Sequence, residues 1–443
     1  MNFPFRGAAR VGAACLLLSP AVATATNGFV MHGIGTASKA MGGVGYALPQ
    51  DALVSGINPA GLALVEDQVY FGADWILPER GASIEGNRLV TLQSADGRYR
   101  GDEQAPFFVP ELGYKRSLRP AWSVGVAAYG NGGLNTNYAD NPYAAFGSTG
   151  NMGVDLAQLF VAPAVAWQLS DRQSIGLALN VVYQRFEAYG LDAFATTAFP
   201  GPYSESPDRL TNRGYDDSFG VGFRLGWLAE PLPHFTVGIG WQPKIRMSRF
   251  DQYRGLFADQ GRFDIPANYG AGIAYRWRDR VAVALDVQHI AYDGVRSLRR
   301  PMEPLLDGHL IGSDHGPGFG WRGMTVLKLG AAWQVVPSLR VSAGYSRGRQ
   351  PVRRDQTFFN IIAPAIVEQH YTVGLRYEID TRWSVSTYYC RGPTHEVHGR
   401  DSIPENQLTD PLPPTSLGGG EADLRLNGKS AGITFAYSLG RAE

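Results

Sequence analysis

The sequence predicts an all-β protein: a transmembrane antiparallel β-barrel of fourteen strands, with an N-terminal hatch, or plug, inside its lumen. Three observations lead to this prediction. Apolar residues alternate with small or polar residues over many long segments, the connections between segments are alternately short and long, and tryptophans gather near the short connections. The segments run to nine residues or more, the length that a tilted strand needs to cross a bilayer.

The composition excludes several classes of protein. The 443 residues include 55 glycines and only 18% charged residues, with 40 basic and 40 acidic side chains. Abundant glycine disfavours long helices, and the balanced charge gives no surface for nucleic acid. Aromatic residues make up 12% of the chain, which gives ample material for an ordered structure.

Residues 1–25 are predicted to be an export signal peptide. Arg6 and Arg10 precede a weakly apolar run over 11–25 that ends in small residues, as secretory signals do. Cys15 lies inside this run, so the mature chain keeps only Cys390, which excludes an internal disulfide and a multi-cysteine metal site. No later stretch approaches 18 consecutive apolar residues, so no transmembrane helix is predicted.

The alternation has a period of two residues, as in a strand with one apolar face. It is clearest over residues 175–183, 219–227 and 371–379. Successive strand side chains point to opposite faces, so each segment presents one continuous apolar face and one small or polar face. The predicted strands lie near residues 67–77, 106–116, 121–130, 155–168, 174–187, 216–228, 234–248, 266–277, 280–291, 322–335, 339–347, 368–379, 382–390 and 429–439.

The connections indicate how the barrel is oriented. Six of them are short, over residues 117–120, 169–173, 229–233, 278–279, 336–338 and 380–381, and long polar stretches such as 131–154, 188–215, 292–321 and 391–428 lie between them. Bacterial outer-membrane barrels have an even strand number, tight periplasmic turns and long external loops. The pattern therefore predicts that the first strand begins and the last strand ends on the periplasmic side.

Tryptophans and ionisable residues support the same arrangement. Arg224, Asp286, Lys328 and Arg376 fall on the lumen-facing parity, and a structural role is predicted for them, pairing across the lumen or with the hatch. Amphipathic rings collect at the headgroup level, and core tryptophans at sheet corners are the alternative. The tryptophans near the short turns are Trp122, Trp167, Trp227, Trp277, Trp333 and Trp383.

Residues 26–66 precede the first predicted strand and are assigned to the hatch, and 67–443 to the barrel. Eight glycines in this segment leave no lipid-facing stripe, and short helix-compatible patches occur at 37–41 and 51–54. Small residues let backbone approach a crowded barrel wall. The Asn58-Pro59-Ala60 tripeptide is predicted to be a turn, whether as part of a hatch motif or as an ordinary turn before the first strand.

The motifs of this segment resemble the hatch of the FadL-type outer-membrane transporters of long-chain fatty acids and other hydrophobic compounds. They are Asn27-Gly28-Phe29, 40–43, 51–52 and 58–62. The similarity continues in order at 131–138, 158–163, 263–269 and 359–364, with Glu368 and His370, although Ala365 stands where glycine is commoner. The resemblance spans essentially the whole mature chain and implies a fourteen-stranded barrel closed by an N-terminal hatch.

The resemblance also implies a function. This function is passive uptake of hydrophobic compounds, and long-chain fatty acids are the expected substrate. The implied route has three steps: capture on the external loops, transfer to a pocket in the lumen, and release either when the hatch shifts or through a side gap. The alternatives are a channel for aromatic hydrocarbons and a general porin. The implied partners are a hydrophobic small molecule and the lipid and lipopolysaccharide of the Gram-negative outer membrane, with a monomeric barrel.

Candidate binding residues follow from the resemblance and from charge. Phe29 corresponds to the hatch phenylalanine that reaches the internal pocket, and a ligand carboxylate needs a nearby cation, for which Arg185, Arg224, Lys328 and Arg376 are candidates. Exposed aromatic side chains on two external loops are expected to form the capture groove, unless they only pack the loops together. These loop residues are Phe194, Phe199, Tyr203, Tyr253, Leu256 and Phe257.

Catalysis is not predicted. The eight histidines are scattered, and none is paired with a recognisable serine motif such as Gly-x-Ser-x-Gly. His395 and His398 have a spacing that can bind a metal ion, but in a polar loop they are expected to be solvated. No enzyme activity, cofactor, metal ion or nucleic-acid partner is therefore expected.

Overall fold

The computed structural model describes residues 26–88, 94–103, 106–197, 202–278, 280–405 and 417–440. The predicted signal peptide at 1–25 lies outside the described residues. The described part forms one sheet of 17 strands. They are β1 (Thr26–Asn27), β2 (Val30–Met31), β3 (Gln68–Glu85), β4 (Gly97–Arg100), β5 (Phe107–Arg119), β6 (Trp122–Tyr138), β7 (Met152–Ser170), β8 (Gln173–Tyr189), β9 (Asp216–Leu232), β10 (Phe235–Gln242), β11 (Ala267–Trp277), β12 (Val281–Ala291), β13 (Met324–Val336), β14 (Leu339–Gly348), β15 (Gln369–Glu378), β16 (Trp383–Val397) and β17 (Glu421–Ser438).

The sheet closes into the predicted antiparallel barrel. Without the short strands β1, β2 and β4, fourteen of the 17 strands form the wall, each antiparallel to its neighbours. Closure is made by β17 and β3, which pair along their whole length from Ser438–Gln68 to Glu421–Glu85. The pairing closes the sheet on itself, which leaves no free outer edge strand in a hydrocarbon environment.

Each predicted strand is present, but several boundaries differ. The strands predicted at 67–77 and 429–439 extend outward to Glu85 and Glu421, because the sheet continues above the membrane as a paired ribbon. The strand predicted at 234–248 ends at Gln242, where Pro243 lacks the N–H that a ladder needs.

The two faces of the wall are as predicted. Leu177, Leu179 and Val181 are 43–47% exposed on the outside, whereas Ala178 and Asn180 between them are fully buried. The predicted tryptophans lie near the periplasmic turns on the outer face, and the rings of Trp122 and Trp167 stack with centroids 5.4 Å apart. This arrangement is that of an interfacial aromatic girdle.

The helices are short, and none of them is part of the barrel wall. Four are α-helical: α1 (Thr36–Ala40), α2 (Asp192–Ala195), α3 (Ala258–Gly261) and α4 (Arg296–Arg299). The 3-10 helices lie at Ala52–Gly56, Pro59–Ala63, Ala144–Phe146, Pro207–Arg209, Asp251–Tyr253, Tyr292–Gly294, Glu303–Leu305, Arg354–Gln356 and Phe359–Ile362.

Among the described helices, none has the length and apolar character to cross a membrane.

The largest hydrophobic core lies at the external end of the barrel. It is built mainly from the long loops, and Tyr143, Tyr253, Trp321 and Phe358 are fully buried in it or nearly so. The external loops therefore form a packed cap over the lumen. This cap and the N-terminal segment together enclose the interior of the barrel.

Candidate functional site

Residues 26–66, here called the N-terminal segment, are mostly buried and contact lumen-facing side chains. Lys39 of α1 forms ion pairs with Asp74 of β3 and Glu111 of β5, and all three groups are at most 2% exposed. Burial lowers the pKa of Lys39, but the attraction of the two carboxylates outweighs burial, so its net pKa lies above the usual range. The ammonium is therefore the charged link between the segment and this side of the wall.

Three of the predicted lumen-facing ionisable residues bind the backbone of the N-terminal segment. Asp286 accepts hydrogen bonds from the N–H groups of Gly45 (2.7 Å) and Tyr46 (3.0 Å). Lys328 donates to the carbonyls of His32 (2.7 Å) and Gly43 (3.1 Å). Arg224 donates to the carbonyl of Ile57 at 3.4 Å. These wall side chains satisfy backbone groups that are buried away from water.

The Asn58-Pro59-Ala60 tripeptide forms a capped turn that contacts the wall. The Asn58 Oδ1 accepts from the Ala60 N–H at 3.2 Å, and its Nδ2 donates to the carbonyls of Tyr46 (2.7 Å) and Trp227 (3.0 Å). The wall position opposite is Gly226, where a Cβ atom would lie 2.0 Å from Asn58 Oδ1. The glycine therefore lets the turn approach the wall closely, which the sequence alone does not reveal.

The wall has a gap between β5 and β6. Their pairing ends at Leu112–Ala128, although β6 continues to Tyr138, and a bulge interrupts β6 between Gly130 and Gly132. Inside the gap, Val30 of β2 pairs with Gly132, and the Gly133 N–H donates to the carbonyl of Phe29 at 3.1 Å. The N-terminal segment thus occupies hydrogen-bonding positions that β5 leaves open.

A cavity of about 450 Å³ lies at this gap. It has mainly apolar walls, which include Ile76, Phe108, Val109 and Leu156 together with the glycines of the β6 bulge. Its volume is in the range of small-molecule sites. The cavity reaches from the N-terminal segment to the lipid-facing mouth of the gap.

Two arginines place positive charge at this cavity. Arg80 of β3 is 8% exposed and donates to Asn135 Oδ1 at 2.9 Å. Arg185 of β8 lies over the ring of Tyr215 at 4.1 Å and 3.9 Å from Asp155. The sequence prediction included Arg185 and missed Arg80, because the predicted strand ended at residue 77. Pro78 hid the continuation of β3.

The structure places the other predicted cations elsewhere. Arg224 is buried beside the N-terminal segment, where it donates to Gln242 Oε1 at 2.7 Å. Arg376 lies near the periplasmic end of β15 and donates to Glu378 Oε1 at 2.7 Å. Neither lines the cavity at the gap. That Arg224 and Arg376 bind a ligand carboxylate remains a prediction. In the structure, both guanidinium groups donate to side chains of the protein itself.

The aromatic loop residues are not exposed but pack the loops together, which is the second of the two alternatives that the sequence left open. Phe194, Tyr203, Tyr253 and Phe257 are at most 6% exposed and belong to the core of the external cap. They pack together because apolar rings exposed on long loops gain more from mutual burial than from solvent. Phe199 lies outside the described residues.

Part of this loop cluster still surrounds a small apolar cavity. Phe194, Leu256 and Phe257 line a space of about 50 Å³ between the loops, together with Phe359 and Ile362. Its volume is far below that of the cavity at the gap. Capture of a ligand here requires the loops to separate.

Phe29 connects the cap to the N-terminal segment. Its side chain is fully buried, with ring centroids 5.1 Å from Tyr292, 5.8 Å from Phe263 and 5.9 Å from Trp321. The Tyr292 hydroxyl also accepts from the Phe29 N–H at 3.2 Å. Phe29 therefore holds the beginning of the segment beneath the cap and next to the gap.

His395 lies in β16 and not in a loop as expected, His398 directly follows that strand, and both have protein partners. His398 lies 2.8 Å from a carboxylate oxygen of Asp423, and this hydrogen bond raises the pKa of the imidazole. His395 lies 3.9 Å from Glu368. In the described ranges no group of three or more metal-ligating side chains comes together.

The barrel thus has fourteen wall strands, a gap between β5 and β6, and an N-terminal segment that contacts its lumen-facing side chains. The profile of the family described as outer membrane protein transport protein (OMPP1/FadL/TodX) matches residues 17–401. The chain belongs to the FadL/TodX family. This FadL/TodX protein is thus an outer-membrane β-barrel that transports hydrophobic compounds.

Solved structures agree with the fold of this FadL/TodX protein. A FadL homologue of Pseudomonas aeruginosa has a TM-score of 0.68 at 16% identity, over 93% of this chain and 100% of that one. The toluene transporter TodX of P. putida gives 0.64 at 16% identity (93% and 100% covered), and the toluene transporter TbuX of Ralstonia pickettii gives 0.61 at 16% (92% and 99%). No curated protein matches the chain in sequence.

Proposed function

We propose that this protein takes up long-chain fatty acids passively across the outer membrane. The ligand is captured on the external loops, enters the cavity at the gap, and leaves sideways into the membrane when the N-terminal segment shifts as a hatch. The apolar cavity between β5 and β6, open toward lipid and covered inside by β2, is the observation that carries the proposal.

Burial of the acyl chain supplies the driving force for capture. Each CH2 transferred from water to an apolar wall gains about 0.8 kcal/mol. A lateral exit returns the chain directly to hydrocarbon, so the ligand never crosses the lumen in water. The process needs no nucleotide and no catalytic group, and the flux follows the concentration gradient.

The two arginines favour a ligand with a carboxylate. Arg80 is almost fully buried next to apolar walls, and a buried guanidinium binds a carboxylate strongly. A ligand that places its carboxylate at Arg80 and its chain along Phe108 and Val109 uses both kinds of surface. This arrangement supports a fatty acid over a neutral hydrocarbon.

Replacing Arg80 by glutamine is expected to weaken oleate binding about tenfold or more, because a hydrogen bond to a charged group contributes about 1.5–3 kcal/mol. Binding of toluene is expected to change little. The measurement is binding of both ligands to the purified barrel in detergent. Arg172→Gln, which removes an exposed arginine in the turn between β7 and β8 that does not line the cavity, is the matched control and should leave both affinities unchanged.

The second candidate is a channel for aromatic hydrocarbons. This candidate is supported by two of the similar structures, which are described as toluene transporters. At 16% identity, these structures are evidence for the fold alone. In the Arg80→Gln experiment, an oleate affinity that does not change would favour this candidate. A general porin is less well supported, since the N-terminal segment contacts the lumen-facing wall at many points.

Uptake by cells tests the function as a whole. We expect a strain that lacks this protein to lose uptake of oleate, and an open general porin not to restore it. Liposomes that contain the purified protein, which we propose is a monomer, should pass sugars poorly. Unchanged uptake of both oleate and toluene after deletion would contradict the proposed function.

A further inference from the structure

One side of the external rim carries arginines without acidic partners. Arg347, next to the external end of β14, and Arg391, six residues before the external end of β16, lie on the outer face, and Arg322 and Arg349 line a cleft at that end of β14. All four side chains are exposed. In the portion of the chain that the structure covers, none of these four guanidinium groups lies within ion-pair distance of a carboxylate. We call these four residues the arginine patch.

The cleft that Arg322 and Arg349 line has a volume of about 990 Å³, and most of its lining residues are charged or polar. Its four acidic residues each lie next to a group outside the patch, and the most exposed of them, Asp401, is 4.0 Å from Arg400. Asp355 is paired with Arg353, and Glu396 lies 3.5 Å from Arg425. Glu368 accepts from the Gln350 N–H at 3.1 Å. The charge of the patch is therefore left for a ligand from outside the protein.

The patch lies at the headgroup level of the outer leaflet. Tyr345, Tyr371 and Tyr389 are on the outer face of β14, β15 and β16, and the rings of Tyr345 and Tyr371 are 5.0 Å apart. Tyrosines mark the membrane interface. Arg347 and Arg391 are each two residues further outward than a tyrosine of the same strand, which is about 6.6–6.8 Å along a strand.

The opposite side of the rim has the other sign of charge. There the outer face of β7, β8 and β9 carries Asp155, Glu187 and Asp217, with Arg185 as the basic residue beside them. Asp155 is 3.9 Å from Arg185, and Asp217 accepts from the Tyr183 hydroxyl at 2.6 Å. The outer face of this sector is therefore mainly acidic, whereas the outer face of β14 and β16 carries Arg347 and Arg391.

We propose that the arginine patch binds a phosphorylated glycolipid of the outer leaflet, the lipid A part of lipopolysaccharide. Guanidinium groups match phosphate oxygens in a two-pronged geometry. The cleft has room for a sugar headgroup, and the acyl chains can follow the apolar outer wall below, where Val373 and Leu375 are 55% and 40% exposed. The site is independent of the transported ligand, because it lies on a different part of the wall from the gap.

The test compares the wild-type protein with the quadruple variant R322Q/R347Q/R349Q/R391Q, both folded in detergent. Bound lipid is measured by native mass spectrometry with bisphosphorylated lipid A, dephosphorylated lipid A and inorganic phosphate. We expect the variant to bind bisphosphorylated lipid A at least about thirtyfold more weakly, because several charge-assisted contacts are lost together. Dephosphorylated lipid A should bind both proteins equally and weakly.

A variant with the same loss of charge elsewhere is the control. R98Q/R100Q/R213Q/R246Q removes four other exposed arginines and should retain tight binding, and heat-modifiable gel mobility shows that each barrel is folded. Equal binding of phosphorylated and dephosphorylated lipid by the wild type would overturn the proposal, and so would inorganic phosphate bound as tightly as the lipid. The quadruple variant is expected to take up oleate at the wild-type rate. A failure of the lipid A proposal can therefore be distinguished from a failure of the proposed function.

Discussion

Replacing Lys39 by methionine is expected to open the lumen to small hydrophilic solutes. The substitution leaves Asp74 and Glu111 buried at 0% and 2% exposure without their cation. Removing one partner of a buried ion pair costs about 3–5 kcal/mol. If this free energy is lost from the binding of the N-terminal segment inside the barrel, the population of molecules with a displaced segment, relative to those with a bound segment, rises about a hundredfold or more. Liposome swelling with arabinose measures the leak.

Neutralising the whole cluster provides the control for this prediction. In the triple variant Lys39→Met, Asp74→Asn, Glu111→Gln no uncompensated charge remains in this cluster, so the leak should fall most of the way back to the wild-type level. If liposomes with the Lys39→Met variant swell at the wild-type rate, the ion pairs of Lys39 do not hold the N-terminal segment in place. Such a result would also weaken the proposal that the segment is a hatch.

Filling the gap between β5 and β6 with Gly130→Phe is expected to reduce oleate uptake at least about tenfold, because a narrowed constriction hinders passage of a bulky solute. A Cβ atom at Gly130 would lie 2.4 Å from Cγ1 of Val109, so a larger side chain there must project across the gap. Both residues line the cavity. Uptake of radiolabelled oleate by cells that produce equal amounts of barrel is the measurement.

Two variants show whether the effect belongs to the gap. Ala331→Phe adds the same ring at an exposed position on β13, away from the cavity, and should leave uptake unchanged. Adding Val109→Gly to Gly130→Phe removes the side chain that the ring meets and should restore part of the flux. Normal uptake by Gly130→Phe would show that the ligand leaves by another route, while the function itself could still hold.

The predicted site residues show which parts of the function were accessible from sequence. Asp286, Lys328 and Arg224 were placed in the lumen by their parity, and the structure confirms that placement. Asp74 and Glu111 also have inward parity within predicted strands, so the same rule could have found them. Their partner Lys39 is 35 and 72 residues away in sequence, and no local pattern links the three groups.

The sequence by itself determined the barrel, its two faces and its family, and its orientation in the membrane stays a prediction. The barrel and its faces rest on a two-residue period and on connection length, and the family rests on short motifs; all of these are local patterns that do not depend on distant residues. Only the tertiary structure decided where the wall opens, which arginine faces the cavity, and that the aromatic loop residues are buried. Those features depend on strand register and on how one segment fits inside a closed barrel, and both are set by contacts between residues far apart in the chain.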